Sequence, residues 1–398
     1  MPTADLRVFS CTSGYNAAGE HVLDKAEIVE RRDMPIEVPQ LLQVNALAAP
    51  LRRRLAYRVK QYELNLVLSF LTIPRAGRVA ARTTDLRATA RHISAFVTES
   101  VGMGMLTATM RDFHHWKGDH DHLEHFDALP SDIAGAYRQQ RGVRPDLLFR
   151  DPAALDSGMA GEARGRTTRP PKSPQPLVAQ RRRLDEILGW SARQAYHPVT
   201  MAWTCLGGPG VGVDLFDITF PPPSHRRPAP PDPSPPKRPV PEEQPARPAH
   251  PTDRSDTTEA VERERREYQS LPRDSDSDGP YVFEAERALS VNAFTAIEHL
   301  YQTAPRGDET QIFNDEPVRG DWVSADLIGQ SNIQLFLGVL ADEPPPTLQS
   351  ALRARRRRFE AAYDEIQVDV FGRLIVAVSL DSRFAPPWRE IATRLGQG

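Results

Sequence analysis

The chain has 398 residues, 39% of them apolar, with 37 prolines and two cysteines. That length suits two or three domains and at least one sizeable core, while the proline count is too high for a single compact domain. With 50 basic against 53 acidic residues, overall charge does not announce a polyanion partner, and Cys11 and Cys205 exclude a disulfide framework or a multi-cysteine zinc site.

The opening residues, MPTADLRVFSCTSG, lack a basic stretch followed by a long apolar one, and LNLVLSFLTI covers about half a membrane span. A cytoplasmic protein with no membrane partner is the expectation. Within residues 1–80, an N-terminal α/β region, LRVFSC reads as a strand and residues 39–73 as largely helical with a break near Pro50. Leu86, Ala90, Ile93, Val97, Val101 and Met105 then recur at three- and four-residue steps, which predicts one long helix with Thr83 or Thr84 as its cap.

Five histidines follow within HHWKGDHDHLEHF: His114, His115, His120, His122 and His125, with Asp119 and Asp121 between them. Without cysteine, and without the one-turn spacing of a metalloprotease helix, they are expected in a polar loop. LLF at 147–149 and MAGEAR at 159–164 predict two strands. An amphipathic helix opens after Pro176, carries Leu184, Ile187, Leu188 and Ala195 on one face, and stops at Pro198. VTMAWTCL and VGVDLFDI flank GGPG as a hairpin, so residues 81–220 run helix, strand, strand, helix, strand, strand, an α/β order with a central sheet flanked by helices.

Residues 221–251 hold 14 prolines, and polar sequence without apolar periodicity continues to about 278. Such a stretch cannot bury enough surface to offset its ordering entropy, so residues 221–280 are expected to be a disordered Pro-rich linker. Residues 281–398 predict a small α+β module: helices near 284–302 and 347–363, then VDVFGRLIVAVSL as a hairpin turning at Gly372. Arg353 and Arg355 to Arg358 ring more than half of the second helix and suit a solvated or phosphate-facing surface. The module or the linker offers a protein partner a docking place.

Asp146 opens one predicted strand and Glu162 lies within the next, so neighbouring strands can bring both oxygens to one point. Strand alternation places Ala160, Glu162, Arg164 and Arg166 on one face and Met159, Gly161, Ala163 and Gly165 on the other. Two carboxylates so placed repel unless a cation sits between them, and an all-oxygen site suits Mg²⁺ or Mn²⁺. From Met159 to Arg183 the chain carries seven basic residues, Arg164, Arg166, Arg169, Lys172, Arg181, Arg182 and Arg183, against the single acid Glu162, a local excess that would track a phosphate backbone. Gly102 and Gly104, within the long helix, lower helix propensity but admit another backbone close by.

Pro145-Asp146 and Glu162-Ala163-Arg164, in this order of elements, resemble the PD-(D/E)xK nuclease superfamily over roughly residues 84–218. The resemblance implies a restriction-endonuclease-like core in which Asp146, Glu162 and the Ala163 carbonyl hold the metal. It further implies Glu99, on the preceding helix, as an added acid, and Gln194 and Tyr196 as the glutamine and tyrosine that exonuclease branches carry at a helix end. The motif's usual lysine is Arg164 here. Arginine supplies fixed charge and bidentate phosphate contacts but cannot exchange a proton, and Lys172 in a nearby loop offers a substitute amine. Together these imply a Mg²⁺-dependent endo- or exodeoxyribonuclease, with Glu99, Asp146, Glu162 and Arg164 catalytic and Arg166, Arg169, Lys172, Arg181, Arg182, Gln194 and Tyr196 on the nucleic acid. The alternative is a nuclease-fold protein that has lost its chemistry and binds nucleic acid or assembles with other proteins.

Overall fold

The computed structural model describes residues 1–47, 56–118, 122–126, 144–152, 154–194, 196–220, 296–305, 318–325, 327–328, 333–341 and 366–380. His120, Asp119, Asp121, the 221–280 linker, the helix near 347–363 and its arginines all lie outside them. The described residues belong to one compact unit.

The chain opens with β1 (Pro2–Tyr15) and β2 (His21–Pro35), followed by α1 (Val38–Leu47) and α2 (Tyr57–Ser69). Three short strands come next, β3 (Leu71–Thr72), β4 (Gly77–Arg78) and β5 (Ala80–Ala81), then α3 (Thr83–Ala88) and α4 (Arg91–Asp112). The central part continues with β6 (Leu123–His125), β7 (Leu147–Asp151), β8 (Ala154–Arg166), α5 (Val178–Arg193), β9 (Val199–Cys205) and β10 (Gly212–Thr219). Residues 296–303 are helical, and β11 (Val318–Ser324), β12 (Gln334–Leu340), β13 (Ile366–Phe371) and β14 (Leu374–Ser379) form the C-terminal sheet.

The fold is mixed α/β. Its main sheet runs β2-β1-β10-β9-β8-β7-β6, with β4 pairing beside β1. β1 is parallel to β10 and β8 to β9, while the β1–β2, β9–β10, β7–β8 and β6–β7 pairs are antiparallel. The first 80 residues therefore supply an inner strand of the same sheet as Asp146 and Glu162.

Period-two alternation sorts the side chains of this sheet onto two cores. Leu6, Val8, Val213, Leu215, Ala202, Leu147 and Phe149 face α1 and α4, while Phe9, Phe216, Met201, Trp203, Leu148 and Ala160 face α5 with its Leu184, Ile187 and Leu188. Leu184, Ile187 and Leu188 form the stripe that the spacing predicts, while Ala195 lies outside the described residues.

The single helix expected from Leu86 to Met105 is instead α3 and α4. Thr89 and Ala90 are extended between them, with ψ of 164° and 144°. The Thr89 hydroxyl donates to the Leu86 carbonyl at 2.8 Å. A hydroxyl that takes up a carbonyl of the preceding turn competes with the helix ladder, and here it marks the end of α3. The expected polar histidine loop likewise contains β6, whose Leu123, Glu124 and His125 pair with β7.

The C-terminal sheet, ordered β11-β12-β14-β13, shares a core with the rest: Leu335, Leu337, Val376 and Val378 join α1 and α4. α1 is buried nearly all round, Gln43 and Asn45 included, because it lies between α4 and strands β13 and β14. Along α2, Tyr57, Gln61, Asn65 and Ser69 recur every fourth residue and reach β11 and its neighbours. Gln61 donates to the Asp321 carbonyl at 2.9 Å, Asn65 to Ser324 at 2.7 Å and Ser69 to Ala325 at 3.1 Å. The Tyr57 hydroxyl accepts from the Asp321 amide at 2.8 Å and donates to the Leu337 carbonyl at 2.5 Å, bridging two residues that are register partners across β11 and β12. The hairpin turn falls at Gly372 with φ of 58°, a left-handed conformation that favours glycine. Among the described residues no helix is long and apolar enough to cross a membrane.

Candidate functional site

Asp146 stands just ahead of β7, where that strand's pairing with β8 runs out. Its backbone amide donates to the Gly161 carbonyl at 2.9 Å. Its side chain takes the next place on the ladder, with Oδ2 accepting from the Ala163 amide at 2.8 Å. An extended residue projects its N–H and C=O toward the same neighbour, so the Ala163 carbonyl leaves β8 on the Asp146 side too.

Glu162 lies between those two contacts on β8 and is 0% exposed. Its side chain turns to the α5 face, as alternation requires, together with Arg164. Arg164 Nε meets Glu162 Oε1 at 2.6 Å. A second guanidinium comes from α5: Arg183 Nε and Nη2 approach the same oxygen at 2.6 and 2.5 Å. Glu162 Oε2, equally buried, has no hydrogen-bond partner.

Burial holds the Glu162 carboxyl well above the usual carboxylate range, and the Asp146 charge beside it pushes the same way, while Arg164 opposes both. The two acids are therefore neighbours, close enough for a hydrogen bond when one is protonated. Asp146, Glu162, Ala163 and Arg164 are thus brought to one place.

α4 lies on the other face of β8, and a pair of glycines sets how close it comes. A Cβ on Gly165 would fall 1.7 Å from the Thr98 carbonyl oxygen, and one on Gly102 would fall 2.9 Å from the Gly165 amide nitrogen. The backbone approach that Gly102 and Gly104 suggest is real at both: Gly104 meets the Leu41 backbone of α1. Glu99 is exposed on α4, across the sheet from the face that carries Glu162, and is not brought to the acid pair.

The remaining basic and polar candidates divide. Arg166 is exposed, its guanidinium 5.4 Å from the Trp203 ring centroid. Arg169 and Lys172 are exposed in the segment between β8 and α5. Arg182 is exposed and pairs with Glu186 at 3.3 Å, and Arg181 donates to the Leu23 carbonyl of β2 at 2.8 Å. Gln194 caps the far end of α5, eleven positions from Arg183 and so about 16 Å along the axis. Tyr196, with φ of 61°, bonds the Tyr15 hydroxyl at 2.6 Å and edges onto His21. Neither Gln194 nor Tyr196 approaches Glu162.

The histidines also disperse. His125 bonds the Val44 carbonyl at 2.8 Å, and His114, its pKa lowered by burial, lies 4.0 Å from Asp217. Among the described residues no three His, Cys, Asp or Glu side chains converge as metal ligands.

Arg183 is the site residue that charge counting does not separate from Arg181 and Arg182. Helical phase does separate it. Gln180, Leu184 and Ile187 form the buried stripe of α5, and Arg183 borders that stripe on the β8 side.

A buried ion pair fixes the start of α5. Arg7 on β1 meets Asp214 on β10, its register partner, with Nε and Nη2 at 2.7 and 2.8 Å from the two carboxylate oxygens. Gln180 donates to Asp214 at 2.7 Å while accepting from the Leu177 amide at 2.7 Å. Arg7 also donates to the Ser173 carbonyl at 3.0 Å, which ties the preceding segment to the sheet.

No family model matches this chain, and neither a curated protein nor a solved structure does. The geometry alone carries the functional argument.

Proposed function

We propose that the chain is a divalent-metal-dependent nuclease with a restriction-endonuclease-like core, and that it hydrolyses phosphodiester bonds in DNA. The observation that carries this reading is the meeting of Asp146 and Glu162, with one buried Glu162 oxygen to which no N–H or O–H group donates. A buried carboxyl whose pKa is raised beside a second acid is a costly arrangement, and a hard cation is a ligand that relieves it.

The residues fit such an ion. Asp146, Glu162 and the Ala163 carbonyl would hold Mg²⁺ or Mn²⁺, and Mg²⁺ is commonly held by one or two carboxylates with waters and substrate oxygens completing its shell. When bound, the ion supplies charge neutralisation and water activation for phosphodiester hydrolysis. Asp146 is oriented by the Ala163 amide. Arg164, fixed on β8 and 27% exposed at its side chain, offers N–H groups to a phosphate at the mouth of the site. Its guanidinium stabilises charge and takes no proton, so the nucleophile's proton must leave through water. Arg166, Arg169, Lys172 and Arg182 are exposed nearby in the chain and extend the positive surface.

Purified full-length chain is to be incubated with plasmid, linear duplex, single-stranded DNA and RNA, with Mg²⁺, Mn²⁺ or a chelator. Cleavage that the chelator removes and that Asp146→Asn abolishes, with the fold retained, is the expected result. Cleavage unchanged by Asp146→Asn would refute the assignment. The arginine at the motif lysine's position favours a second reading, nucleic-acid binding or assembly without turnover, for which binding without cleavage in every lane is the signature.

A further inference from the structure

Arg183 stands outside the Glu162-Ala163-Arg164 run, yet it makes two of the three contacts on Glu162 Oε1. We infer that Arg183 is a displaceable counter-ion that couples divalent-metal binding to phosphate binding: it holds Glu162 in the free protein and moves to a phosphodiester when nucleic acid arrives. This role rests on the metal-dependent reading of the same site.

Charge supplies the first argument. Arg164 and Arg183 at least match the charge of Asp146 and Glu162, whether or not Glu162 carries a proton, so the free site has no net negative charge with which to draw a divalent cation out of water. A phosphodiester restores that negative charge. If Arg183 follows it, Oε1 is also relieved of one of its two guanidiniums. Metal and polyanion then favour each other, and the coupling is reciprocal by linkage.

Freedom of movement supplies the second argument, because the two arginines differ in it. Arg164 has its backbone fixed, since the next residue, Gly165, is wedged against Thr98, and among the described residues Glu162 is the one carboxylate it pairs with. Arg183 has a fixed Cα, since Gln180 and Leu184 are buried on either side, but a long side chain that is 17% exposed. A second acceptor is already within its reach: Nη1 lies 3.3 Å from Glu186 Oε2, on a carboxylate that Arg182 also contacts. The guanidinium can therefore leave Glu162 without being stranded. Its bidentate donor geometry suits a phosphate as well as a carboxylate.

The test measures Mn²⁺ affinity by calorimetry or electron paramagnetic resonance on the full chain. It compares wild type, Arg183→Gln, Arg183→Lys, Arg164→Gln and Asp146→Asn, each with and without a phosphorothioate DNA oligonucleotide that resists cleavage. Arg183→Gln is expected to bind Mn²⁺ about tenfold more tightly than wild type in the absence of oligonucleotide. The oligonucleotide should tighten Mn²⁺ binding strongly in wild type and in Arg183→Lys, and much less in Arg183→Gln. Unchanged or weaker Mn²⁺ binding by Arg183→Gln, or an undiminished oligonucleotide effect, overturns the role of Arg183 while leaving the metal site intact. If wild type with oligonucleotide shows no Mn²⁺ binding that Asp146→Asn removes, the metal site itself falls, and the coupling with it. Folding is monitored by circular dichroism, and Arg164 remains on Glu162 in the Arg183 variants to keep that carboxylate paired.

Discussion

Gly165 and Thr98 meet backbone to backbone: a methyl group on residue 165 would lie 1.7 Å from the Thr98 carbonyl oxygen. α4 is thereby laid directly on β8, one residue past Arg164, and the strand that carries Glu162 has no room to shift. Gly165→Ala should force the helix off the sheet and cost about 3 kcal/mol or more in urea unfolding. Gly189→Ala is the counterpart, because a methyl group there meets only the Arg193 side chain at 3.5 Å. In the middle of α5 it should stabilise by about 0.5–1 kcal/mol. A Gly165→Ala protein of wild-type stability would show that the close crossing does not govern the fold.

Removing the Asp214 carboxylate strands Arg7 in the core. Asp214→Ala should destabilise by about 3 kcal/mol or more, whereas replacing both partners with apolar residues, as in Arg7→Met with Asp214→Leu, should recover much of the loss. Because Gln180 also bonds Asp214, the single variant should loosen the start of α5 and weaken oligonucleotide binding. Hydrogen exchange at the amides of residues 180–184 reads this directly. Equal exchange in wild type and variant would separate the ion pair from the helix.

Glu162 makes stability depend on pH in a defined direction. Its folded-state pKa lies above the unfolded value, so the folded protein holds a proton that the unfolded chain releases at about pH 4.3. This contribution is fully present below that pH and is lost as pH rises through the folded-state value. In chelator, wild type should therefore lose stability relative to Glu162→Gln as pH rises above the unfolded-state value and through the raised folded-state one. The difference between the two urea midpoints, followed across pH, is the measurement. A constant difference would mean that Glu162 is ionised at the same pH folded and unfolded.

The Tyr57 hydroxyl stands between the Asp321 amide and the Leu337 carbonyl. Tyr57→Phe removes these bonds together with the one that Gln61 Nε2 donates to the hydroxyl at 3.3 Å, and should cost about 1–2 kcal/mol. Since α1 and α2 share their core with the C-terminal sheet, the loss should appear in a single unfolding transition. Two resolved transitions in calorimetry, with only one of them shifted, would contradict the shared core.

The candidate site was legible in the sequence where the signal was local. Alternation along MAGEAR puts Glu162 and Arg164 on one face, and the structure has both there. The small residues Gly102 and Gly104 announce close backbone approach, and they have it. Asp146 is recognisable as a strand opener, although the amide it caps, Ala163, becomes apparent only with the register of β7 on β8. Glu99, Gln194 and Tyr196 follow from a resemblance rather than from local periodicity, and they stand apart from the acid pair. Arg183 could have been singled out by helical phase, since it borders the Gln180–Leu184–Ile187 stripe, but a count of like charges treats it as equal to its two neighbours. The position of β1 inside the main sheet has no periodic signature, because its partner β10 is remote along the chain and pairing at such distance leaves no local trace.

That remoteness has a consequence for synthesis in a cell. β1 is made before β10, and the bond from Arg7 to Asp214 spans 207 residues. At translation rates of roughly 5–20 residues per second, β1 waits about 10–40 s beside β2 before its inner partner leaves the ribosome. During that interval the apolar row of Leu6 and Val8, which ends fully buried, faces water on the nascent chain. This protein should therefore depend on nascent-chain chaperones more than one whose sheet forms in order of synthesis.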